Sequence, residues 1–155
     1  MPKTLAKPRI VLLVGLPGSG KSTWAKDKPG VLSSDALREL LSDDPDNQTI
    51  HILVFRVLRG LLKHRLELKR PVTYIDATNL TPYERRPYFL LAKKFDAAME
   101  AVFFDVSAEE CIRRNHTRPR VVPGEVIRKM AERLDPPTRQ EGFSRVNVIR
   151  EGRDG

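Results

Sequence analysis

Residues 15–22 read Gly15, Leu16, Pro17, Gly18, Ser19, Gly20, Lys21, Ser22, and this G-x-x-x-x-G-K-[ST] spacing has a mechanical meaning. Glycines let successive backbone N–H groups turn inward around a phosphate chain, a lysine reaches the β and γ phosphates, and a serine hydroxyl holds Mg²⁺. On that reading Gly15, Pro17, Gly18, Ser19, Gly20, Lys21, Ser22 and Thr23 bind a nucleotide, with Lys21 taking part in catalysis and Ser22 on the metal. A helix opening at Thr23 and running through Trp24, Ala25 and Lys26 adds the attraction of its N-terminal dipole for anions. The apolar run 10–14 before the loop reads as a buried strand, which is the context the pattern requires. ATP or another nucleoside triphosphate, carried with Mg²⁺, is the expected ligand.

A phosphoryl group needs somewhere to go. In a parallel α/β sheet, ligands lie in the crevice at the carboxyl ends of the strands, so the residues just after each strand are the candidates. Asp35 and Arg38 are three positions apart, and on a helix both face one way. Transfer to a hydroxyl needs a carboxylate to take the hydroxyl proton and cations to hold the acceptor and the moving charge, so these two serve as catalytic and substrate-binding candidates. An N-capping aspartate followed by a surface arginine is the plainer alternative. After the third strand come Asp76, Ala77, Thr78 and Asn79. Asp76 orients a metal-bound water or fixes an arginine, and Thr78 and Asn79 face the acceptor. A turn that caps the next helix explains Thr78, Asn79 and Thr81 almost as well. Residues 113–120 then place Arg113, Arg114, Arg118 and Arg120 close together without an acid. A planar guanidinium binds phosphate oxygens in pairs, which suits a lid over the γ phosphate; a solvated basic loop is the competing account.

These residues need a frame to hold them, and short apolar runs alternating with helical patterns supply it as βαβ units around a parallel sheet. The expected strands are Arg9–Val14, Val31–Ser33, Val72–Asp76, 101–106 and 146–149. The clearest helix repeats Ile50, Leu53, Val54, Val57, Leu58, Leu61 and Leu62 at the spacing of one buried stripe. Its other face carries Arg56, Arg59, Lys63 and Arg65, read either as a solvated face or as a groove for a polyanion. Thr81 and Pro82 start another helix running toward Phe95, with Pro87 in its early turns or kinking it. Ser107 and Glu110 form a capping box, and Pro123 opens a last helix over 124–134.

The 155 residues suffice for one compact domain, expected over 1–155, with a core of its own. With 28 Lys and Arg against 20 Asp and Glu, the formal charge is +8 and the sequence pI about 9.9, which favours an acidic partner such as nucleic acid. Neither a signal peptide nor a membrane span is read from the sequence, so the expected location is the cytoplasm. Cys111 is the single cysteine and reads as a packed core thiol. His51, His64 and His116 show no metal-ligand spacing.

Five blocks together resemble the 5′-hydroxyl polynucleotide kinases of the P-loop phosphotransferase class: GLPGSGKSTWA at 15–25, SSDALR at 33–38, DATNLTPYERR at 76–86, RRNHTRPRVVP at 113–123 and PPTRQEGF at 136–143. The resemblance implies an adenylate-kinase-like parallel sheet of about five strands flanked by helices, with the loop-bearing strand in the middle. It implies that Lys21 and Ser22 engage phosphates and Mg²⁺, that Asp35 is the general base for a DNA or RNA 5′ hydroxyl, and that Arg38 grips the adjoining phosphate. It further implies that Arg118, with Arg114, reaches over the donor phosphates; the lid loop is a residue shorter than in some relatives, which leaves Arg120 without an assigned role. A kinase acting on a sugar, a nucleoside or an antibiotic is the alternative. No phosphatase or ligase region accompanies the kinase blocks, so separate phosphatase or ligase partners are expected for end healing.

Overall fold

A computed structural model of the chain describes residues 6–117 and 122–150. Its five strands, β1 (Arg9–Val14), β2 (Val31–Ser33), β3 (Val72–Asp76), β4 (Ala98–Asp105) and β5 (Arg145–Arg150), form one sheet in the order β2-β3-β1-β4-β5. Every pairing is parallel, with Leu12 beside Ile75 on one side and Ala101 on the other. This is the five-stranded parallel sheet flanked by helices that the residues predicted, with β1 at its centre.

The central strand explains why the sheet is covered on both faces. Ile10, Leu12 and Val14 pack on one face against Val54, Leu58 and Leu62 of α3 (His51–Glu67) and Tyr88 and Ala92 of α4 (Pro82–Phe95). Val11 and Leu13 face the opposite layer, with Ala25 of α1 (Lys21–Ala25), Trp24, Val102 and Phe104. A strand apolar at successive positions has both sides to bury, as parallel strands require. Residues 54, 58, 62 and 66 form the buried stripe of α3, while Leu53 and Leu61 lie at its exposed margin.

Local chemistry sets the helix ends. Ser33 caps α2 (Ser34–Ser42) by accepting from the Ala36 N–H at 3.1 Å, so Asp35 lies inside the first turn rather than at the cap. Thr81 caps α4 with Pro82 at the first helical position, where its missing N–H removes no bond. Pro87 sits inside α4, which continues unbroken in assignment to Phe95. Ser107 caps α5 (Ala108–Asn115) through the Glu110 N–H. The Glu110 carboxylate accepts from Arg113 and Arg114. α6 (Gly124–Arg133) completes the helices.

Three expectations change. β4 begins at Ala98, three residues before the expected start, since Glu100 is held by Arg9 at 2.8 Å and does not interrupt the strand. The helix after the glycine loop begins at Lys21 and spans five residues, so its dipole is short and the loop's own N–H groups carry more of any anion attraction. Arg65 does not join the solvated face of α3: it donates to Thr73 Oγ1 and to the Val72 carbonyl, both at 2.9 Å, and burial, with Arg70 nearby, lowers its pKa.

Arg85, fully buried on α4, is the firmest cross-link between elements. It donates through Nε and Nη2 to the two oxygens of Glu141 at 2.8 and 2.7 Å, through Nη1 to the Asn79 carbonyl at 2.8 Å, and through Nη2 to the Asp135 carbonyl at 3.0 Å. Breaking one side of a buried pair strands the other charge, so Arg85→Ala should lower unfolding free energy by about 3–5 kcal/mol. Chemical denaturation measures this, and a loss under about 1 kcal/mol would show that the network holds nothing together.

Candidate active site

The cleft sits at the carboxyl ends of the strands. It encloses about 1030 Å³, and its walls come from the glycine loop, the starts of α2 and α3, the end of β3 and the α5–α6 pair.

The loop between β1 and α1 is shaped by steric need. Gly18 has φ +85°, and a Cβ there would lie 2.7 Å from the Cys111 carbonyl of α5. Gly20 caps α1 at φ 102°. Lys21 donates to the Gly15 and Leu16 carbonyls at 2.8 and 2.9 Å, holding its buried ammonium at the loop itself. Ser22 donates from Oγ to Asp76 Oδ2 at 2.9 Å, which joins the loop to the end of β3. Pro17, Gly18, Ser19, Gly20, Lys21, Ser22 and Thr23 all line the cleft, whereas Gly15 lies behind it, where a Cβ would meet Ser19 Oγ at 2.8 Å and Phe104 Cβ at 3.0 Å.

Mg²⁺ binds few protein groups and takes most of its oxygens from water and substrate phosphates. A serine hydroxyl 2.9 Å from one carboxylate beside the loop fits that habit. The Ser19 hydroxyl is buried among the described residues without a hydrogen-bond partner, leaving a donor for a phosphate oxygen.

Asp35 and Arg38 line the same cleft. The Asp35 carboxylate is 59% exposed and accepts from Arg38 Nη1 at 3.3 Å, while the Arg38 side chain is only 5% exposed. Arg38 also donates through Nε to the Asn47 carbonyl at 3.1 Å. Its Nη2 lies 3.3 Å from His51 Nδ1. Arginine has donors only, so a hydrogen bond at this contact would use Nδ1 as the acceptor. The His51 ring meets that of Phe55, one turn further along α3, at 4.9 Å between centroids and tilted by 50°. A histidine opening a helix has no spacing signature, and its part in aiming Arg38 is not readable from the sequence.

The remaining candidates divide. Thr78 lines the cleft, and its carbonyl accepts from the Gly15 N–H at 3.1 Å. Asn79, expected toward the acceptor, is buried, with φ 49°, and its Nδ2 donates to the Leu13 carbonyl at 2.7 Å. The amide is spent on tying β3 to β1. Arg114 lines the cleft; its Nε donates to Glu110 at 2.8 Å and its Nη1 to the Ser19 carbonyl at 3.5 Å. Hydrogen bonds from Arg113 and then Arg114 hold the Glu110 carboxyl down to about 2, so it stays ionised and keeps Arg114 beside the loop at neutral pH. Arg118 and Arg120 lie outside the described residues. Val122, Pro123, Val126 and Met130 add an apolar wall to the cleft.

Among the described residues no group of three His, Cys, Asp or Glu side chains is arranged to hold a metal ion, and no helix is long and apolar enough to cross a membrane. Cys111 is fully buried, with its thiol 3.8 Å from the Val106 carbonyl.

If the loop is a phosphate cradle, its conformation is indispensable. Gly18→Ala places a side chain both in the left-handed region, at a cost of about 1–2 kcal/mol, and against a backbone carbonyl that has no room to yield. ADP affinity by calorimetry should fall at least about tenfold, which is about 1.4 kcal/mol; unchanged affinity would place the nucleotide elsewhere.

Comparison with known proteins agrees with this geometry. Residues 10–137 match the AAA_33 family, described as an AAA domain. The chain is 28% identical over 138 residues to the L-seryl-tRNA(Sec) kinase of Methanococcus maripaludis, covering 83% of this chain and 53% of that one. It is 27% identical over 146 residues to the bifunctional polynucleotide phosphatase/kinase of Schizosaccharomyces pombe, covering 90% and 33%. It thus spans about half of one relative's length and a third of the other's. Among solved structures, a chain of the Pnkp1/Rnl/Hen1 RNA repair complex superposes with a TM-score of 0.71 at 23% identity, covering 84% of this chain and 45% of that one. With a family match over most of its length and the sheet order and glycine loop described above, the chain belongs to the AAA_33 family and has the fold of the P-loop kinases.

Proposed function

We propose that the protein is a polynucleotide 5′-hydroxyl kinase, passing the γ phosphoryl of ATP or another nucleoside triphosphate to the 5′ end of DNA or RNA. The observation that carries this reading is the Asp35–Arg38 pair lining one cleft together with the glycine loop. A carboxylate more than half exposed can be reached by a hydroxyl, and a buried guanidinium held by Asn47 and His51 is a fixed anion receptor. A sugar or nucleoside hydroxyl needs the first group but presents no phosphate for the second. The similarity to a polynucleotide phosphatase/kinase and the net charge of +8 support the same reading.

In the reaction, Asp35 accepts the proton of the 5′ hydroxyl as its oxygen bonds to the γ phosphorus. The bond from that phosphorus to the bridging oxygen breaks, leaving the electron pair on the β phosphate of the diphosphate product. Arg38 holds the phosphodiester next to the hydroxyl. Lys21 and Arg114 lie at the loop where the transferring group carries its charge, and Arg118 joins them on this reading. Bound at Ser22, with Asp76 acting directly or through water, Mg²⁺ would neutralise charge on the donor phosphates. The chain would act beside separate phosphatase or ligase proteins at nucleic-acid ends.

Transfer of label from γ-labelled ATP to a 5′-OH oligonucleotide, run beside sugars, nucleosides and a seryl-tRNA, tests the assignment. Label on the oligonucleotide is expected; label confined to a small molecule or to the aminoacyl-tRNA overturns it. Asp35→Asn should keep ADP affinity while cutting transfer by roughly 10²- to 10⁴-fold, the usual range for a general base. Near-normal turnover in that variant would leave Asp35 a structural partner of Arg38 only.

A further inference from the structure

Some surface arginines of this protein are paired with acids, and others, among them Arg70, Arg86, Arg139 and Arg145, show no ion pair among the described residues. Arg9, Arg113, Arg114, Arg133 and Arg150 each hold a carboxylate. Arg56, Arg59 and Lys63 on α3 hold none among the described residues, and α3 contains no acid before Glu67. Three like charges left together in this way repel one another, and an outside anion would relieve that.

Their position is specific. His51 and Phe55, in the first turns of α3, line the cleft on the wall that carries Arg38. Phe55, Arg59 and Lys63 follow one another at four-residue intervals, so they lie one above the next along one edge of the helix. All three are half-buried, between the buried stripe of Val54, Leu58 and Leu62 and open solvent, with Arg56 exposed beside them. Arg59 also lies near the Tyr88 phenol of α4, where it opposes the larger rise in pKa caused by burial. The edge therefore starts at the acceptor wall and runs away from it. From residue 51 to 63 the helix rises about 18 Å. A stacked strand advances about 3.4 Å per nucleotide, so roughly five nucleotides cover that length.

We propose that the single strand trailing 3′ of the acceptor hydroxyl leaves the cleft over His51 and Phe55 and follows this edge of α3, with its phosphates on Arg59, Lys63 and Arg56. This track rests on the polynucleotide reading above. It makes affinity depend on strand length, whereas the chemistry at Asp35 depends only on the terminal nucleotide.

The test is fluorescence anisotropy with a 3′-labelled, 5′-OH single strand of about twelve nucleotides, at salt concentrations from about 50 to 200 mM. The protein carrying Arg56→Gln, Arg59→Gln and Lys63→Gln together is compared with the wild type, and a melting curve confirms that it folds. Binding should weaken at least tenfold, and the slope of log affinity against log salt should become shallower by about 2, at about 0.7 for each phosphate no longer held. The phosphorylation rate of a nucleoside 3′-monophosphate should stay unchanged. A second variant, Arg56→Lys with Arg59→Lys, keeps the charge and should bind nearly as the wild type does. Unchanged strand affinity and slope in the glutamine variant would overturn the track, leaving a solvated face or a site for an acidic protein. If neither acceptor is phosphorylated by the wild type, the kinase reading fails, while the binding comparison still decides the track.

Discussion

The cleft depends on how the ends of β1 and β3 are tied together. Asn79 adopts a left-handed backbone that turns its amide back onto the Leu13 carbonyl at 2.7 Å, while the Gly15 N–H reaches the Thr78 carbonyl at 3.1 Å. These two bonds join the residues where the glycine loop leaves its strand to those where the Asp76 segment leaves its own. They thereby support the 2.9 Å bond from Ser22 to Asp76. Arg85 locks the knot from behind by binding the Asn79 carbonyl and, in the same plane of donors, Glu141 and the Asp135 carbonyl. A buried guanidinium with its charge paired and its donors used is costly to disturb. The geometry of the site is thus held by groups that touch no substrate.

A second constraint is electrostatic. The cations around the cleft are held in place before any anion arrives: Lys21 by carbonyls of its own loop, Arg114 by Glu110 and Arg38 by Asp35, Asn47 and His51. Fixed donors lose little freedom when a phosphate binds, so more of the interaction remains available for catalysis.

Much of the frame was legible because it follows from period and punctuation. Alternating apolar blocks and one helical stripe predicted β1, β2, β3 and α3 at or near their observed bounds, and Thr81 with Pro82 marked the start of α4. What was not legible depends on contacts distant in sequence. The expected start of β4 falls late, at 101, because the partner of Glu100, Arg9, lies 91 residues away. Arg85 carries no reading of its own, because its acid, Glu141, lies 56 residues on. Asn79 has the composition of a polar turn, and only the fold shows its amide turned inward. The same limit applies to the site. The glycine loop announces its chemistry through spacing, and Asp35 with Arg38 through helical register, whereas His51 and the wall of Val122, Pro123, Val126 and Met130 enter only through packing.

The central claim is that Asp35 and Arg38 receive a polynucleotide end in the cleft they line with the phosphate loop. A crystal structure with ADP, Mg²⁺ and a 5′-OH trinucleotide tests it most directly. The terminal 5′ oxygen should lie about 2.6–3.2 Å from an Asp35 carboxylate oxygen, the reach of a working base, with the next phosphate on Arg38. A terminal hydroxyl bound away from Asp35, with Arg38 still engaged by Asn47 and His51 alone, would contradict the account.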